Sequence, residues 1–212
     1  VPWTKRKRAF HIFDTRLMTM PMRKSSEEKL LDAVDDLVFS RGIETTPVDA
    51  ILARAGVSAA TLYRGYRSKE ALVAASLERR HERWRETWGS AIAAAPDDEG
   101  RLLAIFDAID EFAARPDGAR WCAFLGTAAE MSDPPAEIAD AVTRDTDHMR
   151  ETLRELAAQL PCADSDHLAE QILVVVTGEL AMRLRDNPLR KSTLGREIAT
   201  TLIDMACTPT TT

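Results

Sequence analysis

Apolar positions recur along this chain three and four residues apart, the period of an α-helix with one buried face. The first clear stripe is Leu30, Leu31, Val34, Leu37 and Val38, with Asp32, Asp35 and Asp36 facing away from it. Ser25 and Glu28 precede it at capping-box spacing, so the helix should open near Ser25, and Gly42 follows Arg41 where a helix ends. Val48, Ile51, Leu52 and Ala55 make a second stripe behind Thr46 and Pro47, a cap and a first-turn proline, with Asp49 completing the box. Gly56 permits a sharp reversal, and Val57 plugs the angle between helices. Ser58 then caps a short third helix, Ala59 to Arg64, whose Leu62 points inward with Tyr66. Gly65 ends it, and Ser68 caps a fourth helix that starts at Lys69 and runs through Leu72, Leu77, Trp84 and Trp88 to about Ala94.

Five further helices follow between Pro, Gly and Asn breaks. They span about Glu99–Ala114, Ala119–Met131, Pro135–Leu160, Ser165–Arg185 and Thr193–Ala206. Alternating Val-, Ile- and Thr-rich runs are nearly absent. The fold class is therefore all-α, about nine helices in total. A three-helix N-terminal domain with a helix-turn-helix (residues 25–72) leads into a larger helical domain (73–207). The two share the fourth helix without a flexible joint. Residues 1–24 read as a disordered basic arm and 208–212 as a disordered tail.

Reversal at Gly56 followed by a short capped helix is the grammar of a helix-turn-helix, which lays its second helix in the DNA major groove. Ser58, Ala59, Ala60, Thr61, Tyr63 and Arg64 belong to the outward side of that helix, and its small residues let the backbone approach a groove. Thr61, Arg64 and the methyls of Ala59 and Ala60 are candidates for base edges. Lys69 at the start of the fourth helix, the Tyr63 hydroxyl and Thr46 are candidates for phosphate. Simple packing between helices is the plain alternative for Tyr63 and, more strongly, for Tyr66.

Charge changes the picture once it is divided. The 212 residues carry −6 overall. Residues 1–24 set Lys5, Arg6, Lys7, Arg8, Arg16, Arg23 and Lys24 against Asp14, a net +6 that leaves −12 on the remainder. Local charge, not the total, decides DNA contact. The competing reading of the arm is a leader ahead of a start at Met18, Met20 or Met22. Three widely spaced cysteines, Cys122, Cys162 and Cys207, form no CxxC pair, which argues against a disulfide framework or zinc site and for a reducing cytoplasm. No apolar run is long enough to span a bilayer, so no membrane partner is expected.

From about Ser26 to Ala75 the chain resembles the N-terminal domain of the TetR family of bacterial transcriptional regulators. The resemblance rests on Ala53-Arg54-Ala55-Gly56-Val57-Ser58, Thr61-Leu62-Tyr63, Tyr66 and Ser68-Lys69-Glu70-Ala71-Leu72. Cys122-Ala123-Phe124-Leu125, followed by Met131 and Pro134, is reminiscent of one subgroup. Gly65 departs from the His or Tyr often found there, and Tyr66 from Phe. Gly65 removes a phosphate contact that Arg64 or Arg67 would have to replace. The resemblance implies a homodimer paired through the last two helices, a palindromic double-stranded DNA operator, a small-molecule effector pocket in each body, and repression relieved by that effector.

Trp84 and Trp88, four apart on one helix face, are candidates to line such a pocket with Phe106, Phe112, Trp121, Phe124 and Met149. The plain alternative for each is ordinary core. Leu168, Ile172, Val175, Val176, Leu180 and Leu184 on the eighth helix, with Leu194, Ile198, Leu202 and Ile203 on the ninth, make an apolar stripe that suits a partner helix or internal burial.

Two rival classes remain. Glu78–His81, Asp145–His148 and Asp164–His167 have the i, i+3 spacing used by two-metal helical bundles, which would make the chain a metal-binding enzyme. Glu78 and His81, however, sit in a charged ERRHERWRE run that reads as solvated, and 34 acidic residues generate such pairs by chance. No Gly-rich phosphate loop or GxSxG is present, and neither enzyme activity, cofactor nor metal is expected. A helical interaction module without DNA binding is the other rival, favoured by Gly65 and the acidic first helix.

Overall fold

The computed structural model describes residues 22–115, 122–187 and 190–207. Within these the chain forms helices α1 (Lys24–Arg41), α2 (Val48–Ala55), α3 (Ala59–Gly65), α4 (Lys69–Ala94), α5 (Asp98–Ala114), α6 (Ala123–Glu130), α7 (Ala136–Ala157), α8 (Ser165–Arg185) and α9 (Thr193–Cys207), and no strand. The all-α expectation holds. Most of the basic arm, the turn at Pro116-Asp117-Gly118, Trp121 and the last five residues lie outside the described residues.

Two apolar cores organise the molecule. Leu30, Val34, Val38, Ile51, Leu62, Leu72 and Leu77 close the N-terminal head, and Phe124, Ile138 and Ala141 of the body complete it. Trp88, Leu102, Ile105, Phe106, Leu153, Leu168, Ile172, Val176 and Ile203 form the core of the body. α4 passes through both. Its 26 residues span about 39 Å at the α-helical rise, so head and body are joined by one rigid rod.

Local signals acted where they were self-contained. Gly56 adopts the left-handed conformation (φ 65°, ψ 34°) that turns α2 into α3. Ser58 and Ser68 cap α3 and α4, accepting from the Thr61 and Ala71 backbone N–H groups. Two expected caps fail. α1 begins at Lys24, so Ser25 is already inside the first turn and no side chain caps that end. Pro47, not Thr46, is the N-cap residue of α2.

Three expectations are overturned by contacts distant in sequence. Asp35, expected to face away, is turned onto α4, where it accepts from Ser76 Oγ at 2.7 Å and pairs with Arg79 at 2.7 Å and Arg80 at 3.3 Å. His81, expected on a solvated face, is buried, and its Nδ1 lies 3.0 Å from Asp145 Oδ1 of α7. Cys162 and Cys207 form a disulfide, because packing of α9 along α8 brings its last residue back to the α7–α8 connection, where Ala163 N–H donates to Ala206 O. Spacing alone concealed that pairing, and the cysteine pattern therefore does not fix the redox compartment.

Candidate nucleic-acid interface and apolar cleft

The head presents α3 to solvent. Leu62 is fully buried beneath it, while Ser58, Ala59, Ala60, Tyr63 and Arg64 are exposed and Thr61 is half-buried. Tyr63 is 55 % exposed although it is a large aromatic on a seven-residue helix. Tyr66 turns the other way, and its hydroxyl donates to Glu27 Oε1 at 3.0 Å. Burial, reinforced by that carboxylate, pushes its pKa well up, so it remains a proton donor that ties α3 to α1. A Cβ at Gly65 would stand 2.5 Å from the terminal methyl of Met22, the far end of a flexible side chain that can move aside.

Two assigned phosphate contacts are redirected. Thr46 is only 1 % exposed, and its hydroxyl donates to Gly42 O at 2.7 Å, so it closes the α1–α2 connection instead of facing DNA. Lys69 Nζ donates to Ile43 O at 2.5 Å and Thr46 O at 3.0 Å, clamping the same connection from α4. An ammonium has three donors, and two are engaged. Arg67 is largely exposed and pairs with Glu137 of α7 at 3.0 Å, linking head to body.

A second link was not anticipated. Glu130, the last residue of α6, accepts from the backbone N–H groups of Ile43 and Glu44, each at 2.8 Å. The first residues of the same helix line a cleft in the body. Sequence offered no signal for this, because the acceptor lies 87 residues from Ile43.

The cleft has a cavity volume of about 70 Å³, within about 630 Å³ of empty space that includes open solvent at its mouth, and is walled by α4, α5, α6, α7 and α8. Trp84, Phe112, Phe124 and Met149, four of the anticipated residues, line it with Ile109, Val176 and Leu180. Trp88 and Phe106 do not. Both are about 1 % exposed and lie within the body core, one turn beyond the cleft floor in the case of Trp88. Trp121 lies outside the described residues. The aromatic pattern missed the polar part of the lining, namely Arg80, Cys122, Asp145 and Arg183. Burial, helped by the Asp145 charge, pushes the Cys122 thiol up to about 11, so it is a packed neutral group at neutral pH. Burial likewise raises the Asp145 carboxyl, against the lowering effect of His81. Neighbouring His148 is lowered to about 4 by burial first and then by His81 and Arg85, and its ring packs edge-on to His81 and Trp88. Among the described residues no three His, Cys, Asp or Glu side chains gather as a metal ion would require. No described helix is long and apolar enough to cross a membrane.

An exposed helix after a glycine turn, joined by a rigid rod to a body with its own cleft, defines a helix-turn-helix regulator. Residues 30–76 match the family model described as bacterial regulatory proteins, tetR family. The fold is shared with a TetR-family transcriptional regulator from Streptomyces coelicolor (TM-score 0.80, 25 % identity, 87 % of this chain and 91 % of that one). It is also shared with a putative TetR regulator from Streptomyces avermitilis (TM-score 0.72, 28 % identity, 86 % and 98 %). A TetR regulator from Chloroflexus aurantiacus is similar as well (TM-score 0.70, 26 % identity, 86 % and 95 %). No curated protein matches the chain. Residues 30–76 thus form a domain of the tetR type, and the chain shares its fold with TetR-family transcriptional regulators.

Proposed function

We propose that this regulator is a homodimeric repressor, released from a palindromic operator when a small, largely apolar effector enters the body cleft. One observation carries the reading. Both α4 and α6 contribute residues to the cleft and both end at the reading head, α4 through Lys69 and α6 through Glu130. An effector that prefers a different spacing of Trp84 and Phe124 therefore biases the position of α3.

Dimerisation is supported by where apolar side chains meet solvent. Apart from Tyr63, the exposed large hydrophobic residues among the described ones are Val174, Met182 and Leu184 on α8 and Leu194, Ile198 and Met205 on α9. Three of these, Leu184, Leu194 and Ile198, belong to the stripe read from the sequence. Leu168, Ile172, Val176 and Ile203 are buried within one protomer, and the exposed set lies on the opposite sides of the same helices. An apolar face of this extent suits a second copy of the chain. Two-fold symmetry would then place two α3 helices in successive major grooves, about 34 Å apart or a multiple of that distance.

Selection from a random duplex library with the purified chain tests the reading. Enrichment of inverted repeats is the expected result. Enrichment of asymmetric sites, or of nothing, would overturn it.

A further inference from the structure

Three buried N–H groups around the body cleft have no acceptor among the described residues: Arg80 Nη2, Arg183 Nε and Trp84 Nε1. They come from two different helices, yet all three residues line the same cavity. Arg80 and Arg183 are 3 % and 2 % exposed. Guanidinium groups are almost never buried this deeply without acceptors for their protons.

Their carboxylate partners do not balance them. Asp35 is shared by Arg79, Arg80 and Arg83, and Asp110 by Arg183 and Lys191. Neither Asp35 nor Asp110 lines the cleft. The one acid in the lining, Asp145, is hydrogen-bonded to His81. Around this cationic end the walls are apolar: Ile109, Phe112, Phe124, Met149, Val176 and Leu180. The Arg80 guanidinium also lies 5.3 Å from the Phe39 ring centre and 5.8 Å from that of Phe112, the second of which belongs to the cleft wall.

Resting on the proposed effector reading, we infer that the cleft takes an organic anion, a carboxylate or sulfonate head on an apolar ring or chain. The head is held by Arg80, Arg183 and the Trp84 indole N–H. An oxyanion has enough lone pairs for all three donors, whereas an alcohol or an amine does not.

The test uses two fluorescent probes with the same apolar body, anilinonaphthalene sulfonate and uncharged N-phenylnaphthylamine, titrated into the full-length protein. The sulfonate is expected to bind about tenfold or more tightly than its neutral analogue, the size of effect a charge-assisted hydrogen bond gives. Arg80→Gln should weaken the sulfonate severalfold more than it weakens the neutral probe, so that the preference shrinks. Asp35 keeps Arg79 and Arg83 in this variant, so it remains paired. Trp84→Phe keeps the ring and removes only the N–H, and should weaken the sulfonate severalfold, which preserves the test if Arg80→Gln fails to fold. Equal affinity for the two probes, or a sulfonate affinity unchanged in Trp84→Phe and in folded Arg80→Gln, overturns the anion assignment and leaves the effector cleft standing. Binding of neither probe overturns the cleft reading and the assignment together.

Discussion

Arg64 and Lys69 stand five residues apart and present different chemistry to a duplex. Arg64 extends from the exposed side of α3, while the Lys69 ammonium is held between the carbonyls of Ile43 and Thr46. Arg64→Ala should leave thermal stability unchanged and relax base preference at one position of each half-site, compared across selected and scrambled duplexes. Lys69→Ala should instead lower stability by about 1–2 kcal/mol, because two carbonyls lose a charged donor, and weaken all duplexes alike. Full stability combined with a salt dependence reduced by about one charge would return Lys69 to direct phosphate contact. His148 supplies a pH signature. Its pKa falls from an ordinary 6.5 to about 4 in the fold, so between those values the unfolded chain binds more protons. Stability should therefore fall as pH drops through that window, and His148→Gln should flatten the melting temperature against pH. An unchanged slope would assign the loss to other groups. At this scale, Gly56, Ser58 and Ser68 were legible because each acts on backbone within three residues. Asp35 and Lys69 were not, because their partners lie on elements distant in sequence, and Thr46 was misassigned because its hydroxyl turns back to Gly42 O within the α1–α2 connection.

Helices came out of the apolar period with ends displaced by a few residues, as fraying and alternative caps dictate. What the period could not carry is which helix end grips which loop. Glu130 is an unremarkable acid at the end of an Ala-rich helix until α6 is docked, when it meets two backbone donors of the head. Glu130→Ala should speed amide exchange at Ile43 and Glu44, leave protection of the body core intact, and cost about 1–3 kcal/mol of local stability. Protection of both amides at the wild-type level would remove α6 as a lever between cleft and reading head. The cleft itself was half legible. The sequence named Trp84, Phe112, Phe124 and Met149, while Arg80 was hidden in a charged run that periodicity assigns to solvent and Arg183 in the polar end of α8.

For the whole molecule, the bare apolar sides of α8 and α9 and the outward α3 belong to one argument. Under the proposed reading a single head would contact half an operator, and the exposed Val174, Ile198 and Met205 (74 % exposed) would be covered by the second copy. Of the stripe read from the sequence, Leu184, Leu194 and Ile198 meet solvent while Leu168, Ile172, Val176 and Ile203 are core, a division that a single sequence does not make. Ile198→Glu should place a charge in the shared face, leave the helical content of each protomer intact and shift the protein to monomer in sedimentation. The most direct measurement is the mass of the complex formed on a selected duplex at low ionic strength. The account predicts two chains on each inverted repeat, with Ile198→Glu losing the complex. One chain per duplex, or no complex at all, would contradict it.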